Sequence, residues 1–219
     1  MADISGSFFA PGEPMMIRVA EPRDAAAVAG IYRPYVETTA ITFEETAPSV
    51  GEIAAKIAKV GSEFPFLVLE EGGEVLGYAY ATRYRERAAY RWSLEDSVYL
   101  RRDCFGRGMG SALLGALVGV LRELGYVKVY AVMTSPNPAS VALHAGFGFT
   151  ALASFPDTAF KLGAWQAIDW MELTLRDPPA EPGEPVAFHE FARARPERLA
   201  ELLSGAAGLT DAAKSPPSS

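Results

Sequence analysis

Apolar residues recur along this chain in two rhythms, and the changes of rhythm mark out its elements. Met16-Ile-Arg-Val19 reads as a short strand. Pro22 stands where a first helical turn tolerates proline, and Ala25, Val28, Ala29, Tyr32 and Val36 follow at helical spacing. Ser49 with Glu52 three residues on has the form of a capping box, which predicts a second helix to about residue 60. Apolar stretches at 66–69 and 75–81 flank Glu71-Gly-Gly-Glu74, a hairpin signal, and 94–100 predicts a third strand after them. Residues 109–124 are apolar nearly all round, so they predict a buried helix that stops at Gly125. A strand over 126–133, a short helix over 138–147 capped by Asn137, and strands over 151–160 and 166–175 complete the pattern. This order predicts an α+β fold, a mixed sheet flanked by helices with one strand–helix–strand crossover.

Outside that pattern, residues 1–15 carry Gly, Ser and two prolines without periodicity and read as a flexible arm before a folded domain at 16–176. Over 177–219 the composition shifts to Pro, Glu and Ala, giving an extension that is partly helical around 188–203 and disordered at its extreme end. A length of 219 residues suits one domain with extensions. The net charge of −7 argues against a nucleic-acid binder. A single cysteine, Cys104, precludes an internal disulfide. No apolar run approaches the roughly 20 residues of a membrane span, and the N-terminus lacks a signal-peptide pattern. The expectation is a cytoplasmic protein without a membrane or nucleic-acid partner. His144 and His189 lie in different regions with no ligand-spaced cluster, so no metal is expected.

The candidate chemistry centres on the join between the strand at 94–100 and the apolar helix. There Val98, Tyr99 and Leu100 lead into a loop containing Phe105, Gly106, Arg107, Gly108, Met109, Gly110 and Ser111. Glycines let a backbone approach a ligand closely, and the first amides of a helix carry the positive end of its dipole, so the loop suits a phosphate or pyrophosphate. The dinucleotide fingerprint fails: the sixth position from Gly106 is Ser111, that from Gly108 is Leu113, and the next strand has no acid. The nucleotide P-loop fails as well, for no Gly-Lys-Ser/Thr follows. What remains resembles the loop of the acyl-CoA-dependent N-acetyltransferases of the GNAT superfamily.

Other segments carry the resemblance further. Tyr84-Arg-Glu-Arg87 and Tyr90-Arg-Trp-Ser-Leu-Glu95 resemble the phosphinothricin and methionine sulfoximine N-acetyltransferase branch, as do Thr39 to Phe43, Asn137 to His144 with Gly148-Phe149, and Phe160-Lys-x-Gly-x-Trp165. The likeness spans roughly residues 17–175. It implies the GNAT fold, with a mostly antiparallel twisted sheet and one βαβ unit that binds CoA, acetyl-CoA as cosubstrate, a small amino-acid-like amine as acceptor, and a homodimer. It places Asn137 and Ser140, with residues 98–100 and 105–111, against CoA, and Phe43, Arg85, Arg87 and Tyr90 against the acceptor.

Acetyl transfer to an amine needs a neutral nitrogen, so a base is required, and the resemblance points to Glu95. Asp96 is its rival, but alternation along a strand sends the two to opposite faces. His144 stands where many members have a tyrosine, and a histidine can return a proton to the departing thiolate. Arg85 and Arg87 offer guanidinium forks to a carboxylate or phosphinate, whereas Arg83 and Arg91 read as surface charges. Phe105 replaces the usual Gln or Arg of the loop, leaving Arg107, or Arg101 and Arg102, to supply charge. Trp92 and Trp165 are expected to pack, and Cys104 has no base partner that would make it a nucleophile. Two other readings stay open: the same fold acting on a polyamine, aminoglycoside or peptide amine, and a non-catalytic CoA-binding module.

Overall fold

The computed structural model describes residues 15–207. The expected N-terminal arm (Met15 aside) and the far C-terminal end lie outside the described residues. Seven strands form one sheet: β1 (Met16–Val19), β2 (Phe66–Glu71), β3 (Glu74–Arg83), β4 (Ser93–Leu100), β5 (Lys128–Ser135), β6 (Thr150–Lys161) and β7 (Ala164–Thr174). Their order is β1-β2-β3-β4-β5-β7-β6, and every neighbouring pair is antiparallel except β4–β5. Six helices flank it: α1 (Ala25–Thr38), α2 (Val50–Glu63), α3 (Met109–Glu123), α4 (Pro138–Gly146), α5 (Phe188–Ala194) and α6 (Pro196–Ala207). The capping box at Ser49 and Glu52 starts α2, and Asn137 Oδ1 accepts from the Ser140 amide to start α4.

One irregularity positions everything that follows. β4 and β5 are paired only through Ser93–Lys128, Leu94–Val129 and Glu95–Tyr130, after which they separate. β3 holds β4 in register from Leu94 to Leu100, and β7 holds β5 from Lys128 to Ser135, so each strand follows its own half of the sheet. The gap leaves two strand edges without ladder partners, and backbone groups that a sheet would satisfy must find them elsewhere.

The register also sorts the faces. Gly77, Ala79, Ala81, Leu94 and Asp96 face α3, while Tyr78, Tyr80, Glu95 and Tyr99 face the opposite side, where Tyr32 and Tyr35 of α1 stack edge-on to Tyr99. Gly77 is required by close approach: a β-carbon there would collide with Leu100 Cδ2 and lie 3.1 Å from Leu113 Cδ1. α3 is apolar all round because it is covered twice. Its inner face packs on β2, β3 and β4, and its outer face is covered by α6, with Leu202 lying over Gly119. Phe188, Phe191, Leu199 and Leu203 are buried in the same core. The segment after residue 176 is thus bound to the domain, tied by Trp92 Nε1 donating to the Gly183 carbonyl (2.8 Å), by Arg91–Glu184 (2.6 Å) and by the Val186 amide on Leu124 O (2.9 Å). Trp92 therefore anchors the extension. Trp165 departs from the packing expectation: it stands on the β6–β7 arm at 62% exposure.

Candidate active site

A cavity of about 540 Å³ opens where β4 and β5 part. Its walls are Val98, Tyr99 and Leu100 from β4, Ala131, Val132 and Met133 from β5, the loop and first turn of α3 at Phe105, Gly106, Gly108, Gly110 and Ser111, and α4 at Asn137, Ser140, Leu143 and His144. Gly106 (φ +75°) and Gly108 (φ +77°) take left-handed conformations that a side chain would strain, and Gly108 is the N-cap of α3. The opening amides of α3 have no partner within their own helix, and they gather at this mouth with the positive end of its dipole. The cavity thus joins an anion-binding end to an apolar cleft with open strand edges. That fits the residues to a long ligand bearing phosphates, amides and a thioester.

Not every residue of the loop turns inward. Met109 is 1% exposed in the core. Arg107 grips Glu71 on β2 with Nη2 at 2.6 and 2.8 Å from the two carboxylate oxygens. The side chains of Arg107 and Met109 therefore anchor the loop, and it is their backbone that lies at the mouth of the cavity. Arg101 pairs with Glu74 and Asp103, and Arg102 donates to the Pro34 carbonyl and to Thr38. The charges expected to replace the missing Gln or Arg are thus already engaged. Phe105 presents its ring to the cavity at 56% exposure. Burial pushes the Cys104 thiol up, with Asp103 adding to the effect, which leaves it a poor nucleophile.

The two neighbouring carboxylates occupy opposite sides of the opening. Glu95 belongs to the last paired position before the strands separate, facing away from α3. It is half-buried, and burial raises its pKa above the ordinary carboxylate value, with Asp96 adding to the rise and Arg85 working against it. Glu95 is not among the residues lining the cavity; its neighbour across the parallel pair is Tyr130, which stacks with Tyr84 (4.5 Å between centroids) and meets Trp170 (6.1 Å). Arg85 lies over the Tyr84 ring at 4.6 Å and near Trp170 at 6.0 Å. Tyr90 closes the group edge-on to Tyr84 at 5.7 Å. The sequence singles out neither Tyr130 nor Trp170, because only the pairing of β4, β5 and β7 brings them to Tyr84 and Arg85.

The four arginines of the basic knot divide in two. Arg83 is paired with Glu63 and Arg91 with Glu184, both at 2.6 Å, as surface charges. Among the described residues Arg85 and Arg87 have no carboxylate within 4 Å. Phe43 lies outside the cavity, in the loop between α1 and α2, at 40% exposure. That loop is fixed at three points: Tyr32 and Thr42 hydroxyls meet at 2.6 Å, Thr134 Oγ1 donates to the Ala40 carbonyl, and Lys161 Nζ donates to the Thr42 carbonyl at 2.6 Å. Lys161 is 7% exposed, and burial lowers its pKa against the pull of Glu44 and Glu45.

On the cavity side, Asp96 Oδ2 lies 3.0 Å from His144 Nε2, and the Ser140 carbonyl lies 2.7 Å from His144 Nδ1. Burial opposes a charge on His144, but the hydrogen bond and attraction of Asp96, with the Ser140 carbonyl, outweigh it and raise the pKa above the ordinary histidine value. The sequence reading named His144 but missed its partner.

A split parallel pair, a glycine-rich helix start and a half-buried carboxylate at the split define an acyl-CoA N-acyltransferase. The Acetyltransferase (GNAT) domain family matches residues 17–170, and the chain belongs to that family as an acetyl-CoA-dependent N-acetyltransferase. It is 42% identical over 151 residues to a phosphinothricin N-acetyltransferase of Alcaligenes faecalis, covering 68% of this chain and 77% of that one. It is 36% identical over 162 residues to an L-methionine sulfoximine/L-methionine sulfone acetyltransferase of Salmonella typhimurium, covering 74% and 95%. The crystal structure of a phosphinothricin acetyltransferase from Sinorhizobium meliloti in complex with acetyl-CoA superposes with a TM-score of 0.75 at 38% identity, over 78% of this chain and 95% of that one.

Proposed function

We propose that the acceptor is the α-amine of a small acidic amino acid or analogue, of the phosphinothricin, methionine sulfoximine or methionine sulfone class, and that Glu95 is the base. The single observation behind this is the position of Glu95. It stands at the point where the sheet opens, its pKa is raised by burial, and Arg85 lies close enough to counter that rise. Glu95 removes a proton from the acceptor ammonium, because only the neutral nitrogen has a lone pair to offer. The nitrogen then bonds to the thioester carbonyl carbon, the carbon–sulfur bond breaks with its electrons left on sulfur, and His144 is the source of the proton that sulfur takes up. Arg85 and Arg87, without a carboxylate partner among the described residues, hold the acid group of the acceptor; Tyr84, Tyr90 and Tyr130 form its apolar floor. A polyamine or aminoglycoside would carry its charge into this basic corner.

The opening amides of α3 with Gly106 and Gly108 receive the pyrophosphate, and the unpaired edges of β4 and β5 receive the amides of the pantetheine arm as an added strand would. The protein works in the cytoplasm, a setting that suits a chain with one, buried cysteine; no described helix is long and apolar enough to cross a membrane. It acts as a homodimer through the β6–β7 arm, where β6 is a free sheet edge of 12 residues and Leu152, Phe155, Phe160, Leu162 and Trp165 are 48–62% exposed. The test is release of free thiol from acetyl-CoA in a panel of methionine sulfoximine, phosphinothricin, a polyamine and a peptide. Release with the first two alone is expected. Release only with the cationic amines, or none despite measurable acetyl-CoA binding, contradicts the reading.

A further inference from the structure

We propose that Asp96, His144 and the Ser140 hydroxyl form a proton relay, with Asp96 as a positioning residue, that hands a proton to the departing thiolate. The inference rests on the transfer reaction proposed above and concerns its second half, the leaving group.

Donor and acceptor accounting carries it. A backbone carbonyl can only accept, so the 2.7 Å contact with the Ser140 carbonyl places a hydrogen on His144 Nδ1. Nε2 faces Asp96 Oδ2 at 3.0 Å, so one more proton lies between ring and carboxyl. Burial opposes a charge on the ring, but the hydrogen bond to Asp96 outweighs it and raises the histidine's pKa, and the relay takes that proton to lie on the ring. The charged and titratable surroundings are simple: Asp96 comes from β4, Ser140 from α4 itself, and the Phe149 ring packs edge-on at 4.9 Å. Asp96 Oδ1 is buried with no hydrogen-bond partner among the described residues, so the carboxylate has His144 as its one proton source there.

This geometry keeps the ring from reaching sulfur directly. His144 is 5% exposed and both of its nitrogens are capped. Ser140 is half-buried, lines the cavity, and holds its Oγ 3.3 Å from His144 Nδ1. As the carbon–sulfur bond breaks, the Ser140 O–H gives its hydrogen to the sulfur anion while His144 Nδ1–H replaces it. One S–H bond forms and one N–H bond breaks. The ring is left neutral, with its remaining hydrogen on Nε2 facing Asp96 and its Nδ1 lone pair accepting from the renewed Ser140 O–H, until solvent restores the proton. Ser140 is then the group that touches the reacting sulfur.

The test begins with the unaltered protein. With only two histidines in the chain, ¹⁵N-histidine NMR resolves both, and His144→Gln identifies the signal. The relay expects His144 to be protonated on both ring nitrogens at pH 7, and Asp96→Asn to lower its midpoint by about one pH unit or more. A neutral His144 at pH 7 in the unaltered protein overturns the proposal, whether or not any variant folds. Single-turnover transfer is the second arm. Ser140→Ala, measured at saturating acetyl-CoA, is expected to slow it about tenfold or more, and Ser140→Thr to restore most of the loss. In Asp96→Asn the alkaline limb of the rate profile should move to lower pH. Ser140→Ala with the normal rate and alkaline limb overturns the relay while leaving acetyl transfer intact. Failure of the unaltered protein to acetylate any amine instead overturns the functional reading, and the NMR result still decides the protonation of His144.

Discussion

Glu95 and Asp96 are adjacent and chemically alike, yet the pleat of β4 gives them different work. One faces Arg85 and the aromatic floor, the other faces the histidine of α4. This separation was readable from the period of a strand alone; that Asp96 holds His144 was not, because the two are 48 residues apart and only the docking of α4 brings them together. Glu95→Gln should lower turnover about 100-fold or more while calorimetry shows acetyl-CoA affinity unchanged. Arg85→Gln removes the charge that holds the Glu95 pKa down. The acid limb of kcat should then move to higher pH, with a raised KM for the acceptor, and an unmoved limb would separate the two groups. His144 also ties stability to pH. Because its folded pKa is raised, its contribution is complete below the ordinary histidine value of 6.5 and is lost as pH climbs through the folded value. The Tm difference between the unaltered protein and His144→Gln should therefore shrink from pH 6 toward pH 9 in a thermal melt.

At the scale of elements, the early end of β4–β5 pairing creates the site, and α3 supplies both its anion-binding end and much of the core. Elements with strong periods, such as α1, α2 and α3, were legible in the chain to within a few residues. The split between β4 and β5 was not, because it depends on which neighbour each strand follows, a long-range property that leaves no local mark. The all-round apolarity of α3 announced a cover on its outer side without revealing that residues after 176 provide it. Leu203, 7% exposed in α6, belongs to that cover. Leu203→Ala should cost about 2–5 kcal/mol in urea unfolding while leaving the KM for acetyl-CoA close to normal, since no described residue of the extension lines the cavity. A change in KM with no loss of stability would place α6 in the site instead.

For the whole molecule, charge and composition excluded much and specified little. A net charge of −7 conceals the positive charge of Arg85 acting on Glu95, and the proposed acceptor rests on that local sign rather than on the total. The long β6–β7 arm was legible as two strands, but its exposure was not. Strand spacing alone does not tell a core residue from one on an exposed arm, as with Phe155 and Trp165 at 48% and 62% exposure. Light scattering on size-exclusion fractions should report a dimer, and Phe155→Lys with Trp165→Lys should convert it to monomer. A monomer at micromolar concentration in the unaltered protein would return the arm to solvent.

The most direct measurement of the account is a crystal structure with acetyl-CoA bound. It should show the pantetheine arm lying between residues 96–100 and 131–135, the pyrophosphate on the amides of 106–111, and the thioester at the split beside Glu95. A thioester that comes to rest away from that opening, with the β4–β5 gap filled by the protein's own side chains, would contradict it.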